Sequence, residues 1–195
     1  MSSLIGGRII LLNGTSSSGK SALARALLDV LPTPFFHMSV DSFGAMRSEL
    51  RTAELDSVEV ASVLRRTRAG FHRAVGGMAQ AGNDVVMDYV LSESWRLLDC
   101  LDVLSPHSVF MVGVTCSPEE LRQRELARGD RPLGLAASQG EVHAFVSYDV
   151  TCDTTGRTPS QSAEQVLHAW EDWPGVGAFV KMRGTVRPAG KAPSG

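Results

Sequence analysis

The octapeptide Gly14-Thr15-Ser16-Ser17-Ser18-Gly19-Lys20-Ser21 constrains this 195-residue chain more than anything else in it, because it fits G-x-x-x-x-G-K-[ST] at every fixed position. It follows the apolar run Arg8-Ile-Ile-Leu-Leu-Asn13 and precedes the Ala/Leu-rich stretch Ala22 to Leu28. Strand, glycine loop and helix in that order form the opening βα unit of a parallel sheet, with the loop as a phosphate cradle. The physics assigns each part. Gly14 and Gly19 let the backbone of Thr15, Ser16, Ser17 and Ser18 turn its N–H groups toward phosphate oxygens, Lys20 reaches the β and γ oxygens, and the Ser21 hydroxyl is placed for Mg²⁺. Lys20 is the only lysine before Lys181 in a chain that otherwise uses arginine. That fits a site where a slim ammonium is required and a planar guanidinium is too broad. The expected ligands are ATP and Mg²⁺.

The rest of the pattern predicts an α/β fold of P-loop kinase type, a single domain with a five-stranded, mostly parallel sheet flanked by helices on both faces. Strands are expected at Ile9 to Leu12, Phe35 to Val40, Asp84 to Asp88, Val109 to Thr115 and Tyr148 to Cys152. The longest helix runs from about Val58 to Ala81 and stops at Gly82-Asn83. Another begins at Ser117-Pro118-Glu119-Glu120, with Ser117 as cap and Glu120 completing a capping box; a third begins at Thr158-Pro159-Ser160-Gln161. The domain is expected to cover residues 1–175, with residues 176–195 as a mobile tail because the pattern fades into Gly, Pro and Arg.

Net charge is −2 and the basic residues are scattered, which disfavours nucleic-acid partners and membrane surfaces. Cys100, Cys116 and Cys152 are odd in number and lie in or beside apolar runs, which predicts free thiols and a cytoplasmic setting. No apolar stretch approaches the ~20 residues of a membrane span, and the first residues lack a secretory-signal pattern. The five histidines form no metal-ligand spacing, and neither H-E-x-x-H nor G-x-S-x-G is present. Asp41-Ser-Phe-Gly44 fits D-x-x-G, yet no Asn-Lys pair exists to read guanine.

Ligands in open parallel sheets bind beyond the carboxyl ends of the strands. Asp41, following Phe35 to Val40, is placed there as a base or orienting group for a hydroxyl, the alternative being a helix cap. Asp88 closes the apolar run Asp84 to Met87 in the manner of a Walker B acid, a second metal-shell residue beside Ser21, or else a surface turn residue. Arg128 and Arg131 flank a Gly-Asp turn and are expected to contact the transferring phosphoryl group, whereas Arg122 falls on a solvated face. Phe43, Met46 and the helix after Val58 are the expected acceptor pocket.

Taken in order, Ile9 to Ser21, Val40-Asp-Ser42 with Met46, the strand ending at Asp88, Arg124-Glu-Leu-Ala-Arg-Gly-Asp-Arg131 and Tyr148-Asp-Val-Thr-Cys-Asp-Thr-Thr155 resemble the chloramphenicol phosphotransferase family over about Arg8 to Trp170. The resemblance implies an ATP-dependent kinase that inactivates an antibiotic by phosphorylating a hydroxyl, with Asp41 as the base and Arg124 on the nucleotide side. The chain departs from the family's pattern where Tyr89 follows Asp88 in place of a second acid, in the loop after Asp41, and in a longer stretch past Trp170. Three alternatives stay open: a different antibiotic acceptor of nucleoside or aminoglycoside type, a small metabolite, and a non-catalytic ATP-binding protein that sequesters a drug. A homo-oligomer is compatible with the sequence.

Overall fold

Strand β1, Ile9–Asn13, is fully buried and forms the middle of a five-stranded sheet in a computed structural model that describes residues 6–128, 134, 136 and 139–185. Its neighbours are β3, Asp84–Tyr89, and β4, Val109–Thr115; β2, Phe35–Ser39, and β5, Val150–Asp153, lie at the edges. Every pairing is parallel, in the order β2-β3-β1-β4-β5. A strand covered on both faces must be apolar at every position, which is how Ile9-Ile-Leu-Leu12 reads.

Side-chain alternation divides the core into two layers. Ile9 and Leu11 point into a cluster with Phe71, Val75, Leu97 and Phe179, while Ile10 and Leu12 join Leu23, Leu27, Phe110, Val166 and Trp170. The first layer is covered by α4, Ser57–Gln80, and α5, Ser94–Val103; the second by α1, Lys20–Val30, and α7, Pro159–Glu171. Two short helices, α2 at Val40–Ala45 and α3 at Glu49–Ala53, carry the chain from β2 to α4, and α6, Pro118–Arg128, follows β4. Gly140–His143 forms a 3₁₀ turn.

Local capping explains where the helices begin. Asp56 accepts from the N–H groups of Val58 and Glu59 while Glu59 reaches back to the Asp56 N–H, starting α4 one residue before the expected Val58. Thr158 and Gln161 do the same for α7, with Pro159 in the first turn as expected. At α6 the Ser117 hydroxyl accepts from the Glu120 N–H. The expected capping box is incomplete, however, because the Glu120 carboxylate is used by Arg124 and the Gly156 N–H.

The chain beyond Gly175, expected as a mobile tail, forms the helix α8 over Ala178–Thr185. Ala178, Phe179 and Met182 are buried in the α4/α5 layer, and the Ala178 N–H donates to Asp149 Oδ1. Apolar spacing of three to four residues on Ala178, Phe179 and Met182 supplies the driving face that the surrounding Gly and Arg obscure. Residues 186–195 lie outside the described residues. Among the described residues the three cysteines are unpaired, and no helix is long and apolar enough to cross a membrane.

Candidate active site

The carboxyl ends of β1, β2 and β3 open into one cleft of about 1430 Å³, lined by the phosphate loop, α2, α3, one face of α4, and the residues following β3. The loop needs its glycines. A Cβ on Gly14 would stand 2.2 Å from the Val114 carbonyl, and Gly19 adopts φ +95°. Helix α1 begins at Lys20, so its positive end faces the loop. Lys20 is buried to 7% exposure, and its Nζ donates to Thr15 O over 2.7 Å. The Ser16 N–H donates to Gln139 Oε1 at 2.7 Å, an oxygen acceptor of the kind a phosphate would supply.

Register explains the position of Asp88. Leu12 of β1 and Ser39 of β2 both lie level with Asp88 of β3, so the Asp88 carboxylate emerges between the phosphate loop and the end of β2. Ser21 Oγ donates to Asp88 Oδ2 at 2.6 Å, and His37 Nε2 stands 3.6 Å from the same oxygen, too far for an ordinary hydrogen bond. Burial works to raise the Asp88 pKa, but the nearby His37, the Lys20 charge and the Ser21 hydrogen bond outweigh it and hold the carboxyl below the usual range. A buried, ionised carboxylate beside a hydroxyl is a hard-oxygen donor set suited to Mg²⁺.

Asp41 lies in the first turn of α2 and lines the cleft from the β2 side. The cap of α2 is Ser39, whose Oγ accepts from the Ser42 N–H at 3.1 Å, so the capping alternative for Asp41 does not hold. Of the apolar residues expected to form the acceptor pocket, Phe43 turns inward against Phe71 and Met46 is 77% exposed to solvent. Neither lines the cleft; Gly44, Ala45 and Arg47 do, facing Leu64, Thr67 and Arg68 of α4. The spacing of those three α4 residues puts them on one helix face.

Arg124 lines the cleft with its guanidinium engaged by Ser17 O, Thr154 Oγ1, Thr154 O and Glu120 Oε1. Thr154 in turn donates to Ser18 O at 2.8 Å. Residues 124 and 154 therefore brace the phosphate loop through its carbonyls. The Arg128 side chain and Arg131 lie outside the described residues.

Several functional side chains are not evident from sequence. Thr154 is one. Asn13, fully buried, accepts from the Leu91 N–H and donates to Val142 O and Tyr148 Oη, fixing the strand just before the loop. The Tyr148 hydroxyl and His143 Nδ1 share a hydrogen bond of 2.6 Å, and burial pushes the Tyr148 pKa up to about 12. Arg68 and Arg96, on α4 and α5, also reach the cleft. Only the apolar company of Asn13 and Tyr148 offered a signal, since a polar residue inside a buried run implies a fixed partner.

The chain is similar to several known proteins. A Mycobacterium tuberculosis H37Rv protein named "Putative O-phosphotransferase Rv2636" is 32% identical over 198 residues, spanning 91% of this chain and 88% of the relative. Among solved structures, the APS kinase CysC of Mycobacterium tuberculosis in complex with AMPPNP and APS superposes with TM-score 0.62 at 18% identity, covering 86% of this chain and 99% of that one. The Deinococcus radiodurans tunicamycin resistance protein gives 0.63 at 17%, covering 83% and 94%, and a Sinorhizobium meliloti gluconokinase gives 0.56 at 16%, covering 93% and 95%. These structural likenesses establish the P-loop kinase fold. The model of the family described as chloramphenicol phosphotransferase-like protein matches residues 7–171, so the chain is a phosphotransferase of P-loop kinase type and belongs to that family.

Proposed function

We propose that the chain is an ATP-dependent O-phosphotransferase that moves the γ-phosphoryl group of ATP to a hydroxyl of a small molecule, with an antibiotic, chloramphenicol or a similar compound, as acceptor and resistance as the outcome. One observation carries the reading: Lys20, the Ser21–Asp88 pair and Asp41 line a single cleft. Asp41 takes the proton of the acceptor hydroxyl, the oxygen attacks the γ-phosphorus in line, and the bond to the β-bridging oxygen breaks with its electron pair leaving on ADP. Lys20 and the N–H groups of residues 14–21 hold the phosphates, and Arg128 and Arg131 are assigned to the charge on the transferring phosphoryl group. Ser21 and Asp88 would hold Mg²⁺, which when bound neutralises charge on the phosphate oxygens. Dependence on ATP places the protein in the cytoplasm.

The experiment is ADP release by the purified protein with MgATP against a panel of hydroxyl-bearing antibiotics and metabolites, followed by mass spectrometry of any compound that stimulates it. Steady ADP release with a gain of one phosphate on that compound supports the proposal. Stoichiometric drug binding with no ADP release selects the sequestering alternative and overturns it.

A further inference from the structure

The acceptor side of the cleft is cationic where a neutral acceptor would call for amides or hydroxyls. Arg68 of α4 lines it half-buried and makes no hydrogen bond or ion pair among the described residues. Arg96 of α5 lines it too, at 8% exposure. Its Nη1 donates to Val90 O and its Nη2 pairs with Glu93, yet its Nε is buried with no acceptor. Across the cleft Arg47 gives its Nε to Thr52 and leaves Nη1 buried and unmatched.

Buried donors without acceptors cost stability unless something supplies the acceptor. Burial and the Arg96 charge both press the Arg68 pKa down, so the two guanidinium groups repel each other across the pocket. Of the acids nearby, Glu93 is shared between Arg96 and the Trp95 Nε1–H, Glu93 and Asp41 act on Arg68 in the opposite sense to Arg96, and Glu49 lies on the α3 wall. A single oxyanion in the cleft, planar or tetrahedral, would relieve the repulsion and give the Arg68 guanidinium the acceptor it lacks.

We propose that Arg68 and Arg96 form a receptor for an acidic group, a carboxylate, sulfate or phosphate, carried by the acceptor near the hydroxyl that is phosphorylated. The inference rests on the reading of this cleft as a phosphotransfer site, and it narrows the acceptor to hydroxyl compounds bearing a negative charge, turning the choice away from chloramphenicol itself, which is neutral. Among antibiotics it favours acidic ones over neutral ones.

Inorganic sulfate is the probe. It is titrated, at ionic strength held constant with chloride, into full-length protein saturated with Mg-AMPPNP, so that the phosphate loop is already filled; binding is read from the arginine Nε–H signals in ¹⁵N-correlated spectra. Wild type should show one saturable site. Arg68→Gln should weaken it about tenfold or more and Arg68→Lys less, with AMPPNP affinity unchanged in both. Arg68 is preferred to Arg96 for this purpose because Arg96 also anchors the backbone after β3. Absence of sulfate binding to the nucleotide-loaded protein, or equal binding by Arg68→Gln, overturns the receptor. If AMPPNP itself fails to bind, the nucleotide reading falls, and the same titration on Lys20→Ala and on Lys20→Ala with Arg68→Gln still decides the receptor by the same criterion.

Discussion

The Ser21 hydroxyl and the Asp88 carboxylate meet at 2.6 Å, tying the first turn of α1 to the last turnout of β3. Two residues 67 positions apart are thereby joined at the mouth of the sheet. The contact unites a residue of the phosphate loop with an acid that sequence alone places only at the end of an apolar run.

Asp88→Asn keeps the shape of the side chain and removes the charge. The Mg²⁺ concentration needed for half-maximal turnover should rise about 10- to 100-fold, while metal-free nucleotide binding changes little. Turnover against Mg²⁺ concentration and a fluorescent-nucleotide titration in EDTA separate the two. Unaltered Mg²⁺ dependence would make Asp88 a structural partner of Ser21 and nothing more.

Asp41→Asn should lower kcat by about 100-fold or more with unchanged AMPPNP affinity, because a general base contributes to the chemical step and not to nucleotide binding. Helix α2 should survive, since its cap is Ser39. Steady-state kinetics with the acceptor found by the ADP-release screen provide the measurement, and near-normal kcat would remove Asp41 from the chemistry.

Thr154→Val is close to isosteric and deletes the hydroxyl that donates to Ser18 O and accepts from Arg124. Loss of this brace should destabilise the protein by about 1–2 kcal/mol and weaken nucleotide binding several-fold. Chemical denaturation with and without saturating AMPPNP checks both, the ligand restoring part of the lost stability.

What the sequence made legible is what is local or periodic. The phosphate loop, β1 and the Thr158 cap are contiguous strings whose geometry follows from their own residues. Thr154, by contrast, has meaning only once β5 lies beside β4 and brings it under Ser18, a relation that topology creates. Arg68 and Arg96 sit in amphipathic helices where charged residues ordinarily face solvent. Phe43 and Met46 illustrate the converse: a short apolar stretch marks a helix near the site but does not reveal which side chains turn to the core and which to the cleft.

Asp84 offers a pH-dependent test of the amino-terminal end of β3. Its carboxylate accepts from the Arg8 N–H at 2.6 Å, from the Arg8 guanidinium and from Thr33. Burial tends to raise its pKa, yet these bonds prevail and hold it below the ordinary value. A carboxyl with a depressed folded pKa contributes stability that is full above the unfolded value, near 3.9, and is lost as pH falls through the folded one. Asp84→Asn should therefore cost about 1–3 kcal/mol near neutral pH, with the gap from wild type closing below about pH 4. Denaturant melts of both proteins across that range read it directly, and a gap independent of pH would mean that the ionised form contributes nothing.

Helix α8 turns the end of the described chain into part of the core. Phe179 is 1% exposed and belongs to the layer shared by β1, α4 and α5, with the Ala178 N–H held by Asp149 Oδ1, whose Oδ2 accepts from the Met111 N–H of β4. Asp149 thus couples α8 directly to a central strand. Phe179→Ala would open a cavity against residues that cannot fully collapse, and should cost about 3–5 kcal/mol, a large share of the stability of a domain this size. Phe179 is not among the residues that line the cleft, so kcat below the melting transition should stay near wild type. Thermal and denaturant unfolding, paired with turnover at low temperature, test both halves; a loss under about 1 kcal/mol would make α8 an appendage lying on the core without belonging to it.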